Sequence, residues 1–261
     1  MPSPTPRDPL EAALAQSPKQ ALAALRGVPT LLREALRPRS VRVLIIVLIC
    51  YGAIGPNSHG HIPWSTIFPS IESPLLLVSL HFGWMALFGI IVPLAAIRLN
   101  VGLRPADLGV CLGDLRFGAL IVGLGLPLMT VAIVFGARDP GLRATYPLFA
   151  HVLGHPAPQP VPPLDFALYA LAYGLFFLGV ETLHHGILIF GLPDVPVSAR
   201  LGLAALVHLI WHFGAPIPEL IAAPIWAFVV GAIVLRARAT WPAFVLHWVP
   251  NIVLDAVLTY G

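Results

Sequence analysis

The sequence predicts an all-α fold: a polytopic membrane bundle of about seven transmembrane helices, preceded by an amphipathic N-terminal segment. Three observations carry this expectation. Only 10% of the 261 residues are charged and 57% are hydrophobic, whereas a soluble domain carries about 25% charged residues. Mean hydropathy is +0.86. Apolar runs near the 20 or so residues needed to cross hydrocarbon recur from residue 41 to the C-terminus. The expected surroundings are therefore a lipid bilayer. A nucleic-acid partner is excluded, because the basic residues are scattered and build no patch.

Residues 1–40 form a first unit in which Leu and Ala alternate with charge at helical spacing, interrupted at Pro18 and Pro29. Such a segment lies on a membrane face and does not cross it. Forty mixed residues before the first apolar run are also unlike a cleaved signal. Residues 41–261 form the bundle, with spans expected at 41–56, 74–97, 116–136, 165–192, 199–214, 217–235 and 241–260; the first and fifth are short. The connection 137–163 is rich in Pro, with an interfacial turn expected near Tyr146–Leu153 and with His151 and His155 read as solvated. Cys50 and Cys111 match no metal or disulfide spacing.

Charge sets the expected orientation. With the N-terminus inside, thirteen of the fifteen basic residues fall on inner segments, and only Arg138 and Arg143 lie outside. Basic residues concentrate on the cytoplasmic side, so the N-terminus is expected in the cytoplasm and the C-terminus outside. Fourteen Arg against one Lys, with 28 Pro, is the composition of a GC-rich bacterial genome. A bacterial inner (plasma) membrane is the expected location.

Three polar stations interrupt the apolar helices. Glu181, His184 and His185 share one face of the fourth span, and His208 and His212 stand four apart on the fifth. His247, Asn251 and Asp255 form a stripe on the seventh. Ionisable groups at membrane depth face one another or a wet cavity and mark function. His81 stands alone on its helix and reads as a packing histidine, while Asp165 and Glu219 lie near span ends and need no special role. A buried carboxylate among imidazoles can hold a water and take its proton, and His and Asn donors can stabilise an oxyanion. No GxSxG, HExxH or P-loop pattern occurs.

At these stations the chain resembles the CPBP glutamic intramembrane proteases, which include the type II CAAX prenyl endopeptidases and bacteriocin-processing or immunity homologues. The family carries EExxxRG, FxxxH and HxxxN motifs on successive helices. Their counterparts here are "VETLHHG" (180–186), "HLIWH" (208–212) and "HWVPN" (247–251), and "LRPADLGV" precedes the third span as a short amphipathic lead-in. The resemblance covers about residues 95–260. Val180 takes the place of the first Glu, His185 that of the Arg, and His208 that of the Phe. The resemblance implies an intramembrane endopeptidase acting on a membrane protein or a lipidated peptide. It implies that Glu181 and His212 hold the attacking water and that His247 and Asn251 bind the oxyanion, supported by His184, His185, His208 and Asp255.

Two alternatives stay open. Glu181-x-x-His184 and His208-x-x-x-His212 are ligand spacings of di-iron proteins, which would make this a membrane oxygenase or desaturase. The favoured mechanism requires no cofactor; a divalent metal such as zinc, if used, would sit on Glu181, His212 and His247. The other alternative is a non-catalytic immunity or chaperone protein on the same scaffold, for which Val180 speaks.

Overall fold

The structure, a computed structural model, describes residues 36–54, 64–147 and 161–261. The N-terminal segment lies almost wholly outside the described residues, as do His151 and His155. Among the described residues there is no strand; seven helices carry the fold. They are α1 (Arg39–Ile54), α2 (Pro74–Asn100), α3 (Leu115–Gly136), α4 (Pro163–Phe190), α5 (Val197–Trp211), α6 (Ile217–Ala237) and α7 (Trp241–Tyr260). Each begins and ends within three residues of an expected span. Five of them, α2, α3, α4, α6 and α7, are long and apolar enough to cross a membrane, and such helices point to a multi-pass membrane protein. Helices α1 and α5, with 16 and 15 residues, fall short of that length.

Burial ranks the helices. In its most apolar window α4 is 56% buried, whereas α3 is 6% buried, so α4 is the central rod and α3 the outer wall. Leu120, Leu124, Leu128 and Phe135 of α3, with Ile221, Ile225 and Phe228 of α6, stand exposed, an apolar surface suited to lipid. Helix α4 packs on α2 and α7, α7 on α3, and α5 on α6.

Glycine sets the closest crossing. A Cβ on Gly89 would lie 2.6 Å from the Cα of Gly179, so α2 and α4 meet backbone to backbone, as small residues allow between membrane helices. Farther along α4, the Trp248 indole lies over Gly174 and donates to the Ala170 carbonyl at 2.9 Å. Tyr169 hydrogen-bonds the buried Asp255. Asp255 thus ties α7 to α4 and stands apart from the other stations.

One end of the bundle gathers the connections 101–114 and 236–240. The expected lead-in is a tight turn, Pro105–Leu108, closed by the Asp107 carboxylate accepting from the Arg104 backbone N–H at 2.8 Å. Asp114 caps α3 by accepting from the Phe117 N–H at 3.0 Å and pairs with Arg236 at 2.8 Å. The Asp114 N–H donates to the Ala237 carbonyl at 2.7 Å, and Arg238 ends α6 with a left-handed φ of 54°. At the opposite end a short helix, Pro140–Thr145, packs against the α5–α6 turn, where a Cβ on Gly141 would come 3.3 Å from Pro216.

Candidate active site

The first station sits where α4 stops being an ordinary helix. Thr182–Ile187 forms a π-helical turn, closed by the Leu188 N–H donating to the Leu183 carbonyl. Such widened turns hold one residue more than an α turn and gather at functional sites. Side chains supply donors to the carbonyls beside it: the Thr182 hydroxyl donates to Leu178 at 2.7 Å, and His184 Nδ1–H to Val180 at 3.0 Å. A Cβ on Gly186 would come 2.9 Å from the Leu108 carbonyl, which is why the wide turn can press against the 105–108 turn.

Glu181 has no exposed surface, and each of its carboxylate oxygens meets an imidazole. Oε2 faces His185 Nδ1, and Oε1 accepts from His247 Nδ1–H at 2.6 Å. His185 Nε2 lies 3.1 Å from the Ala227 carbonyl. A carbonyl only accepts, so Nε2 carries a proton. The one proton between Nδ1 and Oε2 then leaves the His185–Glu181 couple neutral as a unit, whichever atom holds it. That neutrality makes the couple tolerable at full burial. Gly231, one turn beyond Ala227, gives α6 room to approach: a Cβ there would meet Leu201 at 2.7 Å and Ile189 at 3.0 Å.

His247 is the bridge to open space. Its ring lies 4.5 Å from Phe177 and 5.6 Å from Trp226, centroid to centroid. Since Nδ1–H is committed to Glu181, the neutral ring keeps its lone pair on Nε2. This imidazole lines a cavity of about 430 Å³ together with Val180, His208, His212 and Asn251. Glu181 does not reach that wall. The cavity is bounded by the last turns of α3, the middle of α4, the end of α5, the first half of α6 and the middle of α7 from His247 to Leu254. It therefore opens in the half of the bundle far from the arginine-rich connections.

The second station stands beside the first. His208 is the hub, with its ring 4.6 Å from His212, 5.1 Å from His184 and 5.7 Å from His247. His212 donates Nδ1–H to the His208 carbonyl at 2.8 Å, which leaves its Nε2 as an acceptor. Asn251 gives one N–H to the His247 carbonyl at 2.8 Å and keeps the other. Behind this wall lies a buried ring cluster that the sequence did not announce. Tyr51 of α1 packs 5.4 Å from both His184 and Trp211, and the polar atoms Tyr51 Oη, His184 Nε2 and His208 Nδ1 are buried without hydrogen bonds among the described residues.

The structure thus unites Glu181, His185 and His247 directly and places His212 and Asn251 on the same cavity. It leaves Asp255 on Tyr169, and buries His81 against Phe82 at 5.6 Å. His185, expected in a supporting place, is a direct partner of the carboxylate. Glu219, expected to have no role, lines the cavity; its i, i+3, i+4, i+7 relation to Ala222, Ala223 and Trp226 was the signal. Among the described residues no three His, Cys, Asp or Glu side chains converge as a metal-ligand set. His212, one of the three expected metal donors, hydrogen-bonds its own helix and not Glu181. Compared with known proteins, the chain matches no protein family, no curated protein and no solved structure.

Proposed function

We propose that this protein is an intramembrane endopeptidase, related in kind to the CPBP glutamic proteases, that hydrolyses a peptide bond of a membrane-associated substrate with water activated by Glu181 and His247. One observation carries the reading: a wholly buried carboxylate holds His247 by Nδ1 and so presents Nε2, the basic nitrogen, to a cavity. The pairing repeats the division of labour in which a carboxylate fixes the tautomer of a general-base imidazole. His247 Nε2 and His212 Nε2 would each accept one hydrogen of a water. As the water oxygen attacks the peptide carbonyl carbon, His247 takes its proton and Glu181 stabilises the imidazolium. The remaining Asn251 N–H donates to the oxyanion. Collapse breaks the C–N bond as His247 returns the proton to the leaving amine, giving a carboxylic acid and an amine. No step requires a metal. With seven crossings and the arginine-rich connections in the cytoplasm, the cavity runs from the outer end of the bundle inward to His247.

Val180 supports a second reading, since the side chain in the place of the family's first Glu reaches the cavity and is apolar. A non-catalytic member of the scaffold would have this feature. Comparing new peptide termini in membrane fractions from cells making the wild type or His247→Gln tests both. The hydrolase reading expects termini that vanish with His247→Gln while the fold is retained. Termini formed only by a Val180→Glu variant would establish the non-catalytic reading.

A further inference from the structure

Among the described residues the cavity wall includes one carboxyl group that the chemistry at His247 does not use. Glu219, in the first turn of α6, is half-buried, and its Oε2 is enclosed with no hydrogen bond among the described residues. The carboxyl also meets the Tyr146 hydroxyl. No Lys, Arg or His among the described residues forms an ion pair with it. An acidic residue suits the N-terminus of a helix, yet Oε2 takes none of the free N–H groups there. The neighbouring walls, Phe176, Trp211, Ala222 and Trp226, are apolar. Beyond that hydroxyl, a carboxylate held this way lacks the cationic partner that burial of its charged form demands, and it faces a space sized for a ligand.

We propose that Glu219 is a specificity residue that receives the ammonium or guanidinium of a basic substrate side chain; the proposal rests on the hydrolase reading and names its substrate class. The spacing gives the position. Glu219 and Trp226 share one face of α6, seven residues or about 10 Å apart along the axis, and the Trp226 ring lies 5.6 Å from His247. An extended peptide rises about 3.3 Å per residue. The basic residue therefore lies about three residues from the scissile bond, toward the α5–α6 turn. The favoured peptide is apolar throughout except for that one cation.

The test uses the full chain in nanodiscs and three apolar peptides identical except for Lys, norleucine or Glu at the chosen position, with binding read from tryptophan fluorescence and cleavage by mass spectrometry. A charge-assisted contact in a desolvated site gives about tenfold tighter binding or more. The Lys peptide is expected to lead norleucine by that factor in the wild type. Glu219→Gln should erase the preference, and Glu219→Lys should turn it toward the Glu peptide. Equal binding of the three by the wild type, binding of none, or a Lys preference that survives Glu219→Gln each overturns the proposal. A charge preference without cleavage would leave this site standing and overturn the hydrolase; cleavage without charge preference would do the reverse.

Discussion

Replacing Glu181 by Gln and by Ala separates what the carboxylate does as a shape from what it does as a charge. Gln keeps the volume and has one acceptor and one donor group. Its orientation is dictated from α6: the Ala227 carbonyl holds the proton of neutral His185 on Nε2, so His185 Nδ1 accepts and the amide NH₂ turns to it. The amide oxygen then receives His247 Nδ1–H as Glu181 does at 2.6 Å. Both hydrogen bonds survive, and the expected loss of stability is about 1 kcal/mol or less. Ala removes both partners and leaves two buried imidazole nitrogens and a void, costing about 3–5 kcal/mol. Catalysis should divide differently. Gln removes the carboxyl oxygen facing His247 and the proton shared with His185, and so the local negative end that stabilises the imidazolium; proton transfer should slow by about 10²–10⁴-fold although the tautomer persists. Unfolding in detergent micelles, ¹⁵N resonances of His247 and peptide cleavage provide the readouts. A Gln variant as unstable as the Ala variant, or one with an Nε2–H tautomer at His247, would refute the reasoning.

Gly89→Ala should destabilise the protein by about 1–3 kcal/mol, because the added methyl would lie 2.6 Å from the Gly179 Cα and α2 would have to move away from α4; an unchanged melting temperature would contradict that crossing. At the arginine-rich end, the Phe117 N–H, followed by the Arg236 guanidinium, holds the Asp114 carboxyl below the usual carboxylate range. Its contribution is therefore complete above the unfolded value of about 3.9 and is lost as pH falls through the lower folded value. Asp114→Asn should flatten the decline in melting temperature between pH 6 and pH 3; parallel declines for the two proteins would remove the carboxylate from the account.

Hydropathy made the helices legible because lipid-facing and core-facing surfaces are both apolar, so each span reads as an unbroken run whatever its neighbours. Location within the bundle was not legible for the same reason: α3 and α4 have similar runs, yet one is the wall and the other the centre. Glu181, His208 and His247 were legible as costly groups in apolar helices. Their pairing was not, since regular α geometry permits His184 and His185 equally on the face of Glu181. The widened turn decides the matter by turning His184 back to the Val180 carbonyl and giving the carboxylate to His185. Tyr51 was hidden because a tyrosine in an apolar run is unremarkable until the rings around it are known.

The wide turn in α4 also governs which genetic changes the protein can absorb. It holds one residue more than a regular turn, and the helix on either side is seated independently, against α2 and α7 before it and against α5 and the 105–108 turn after it. Deleting a single codon there would tighten the wide turn to a regular one and leave the two halves nearly in phase. Deleting one from the regular coil on either side would instead swing one half by about a quarter turn and unseat its contacts. In this stretch the loss of one residue is a local event, felt at the pairing of Glu181 with His185 and not along half a rod.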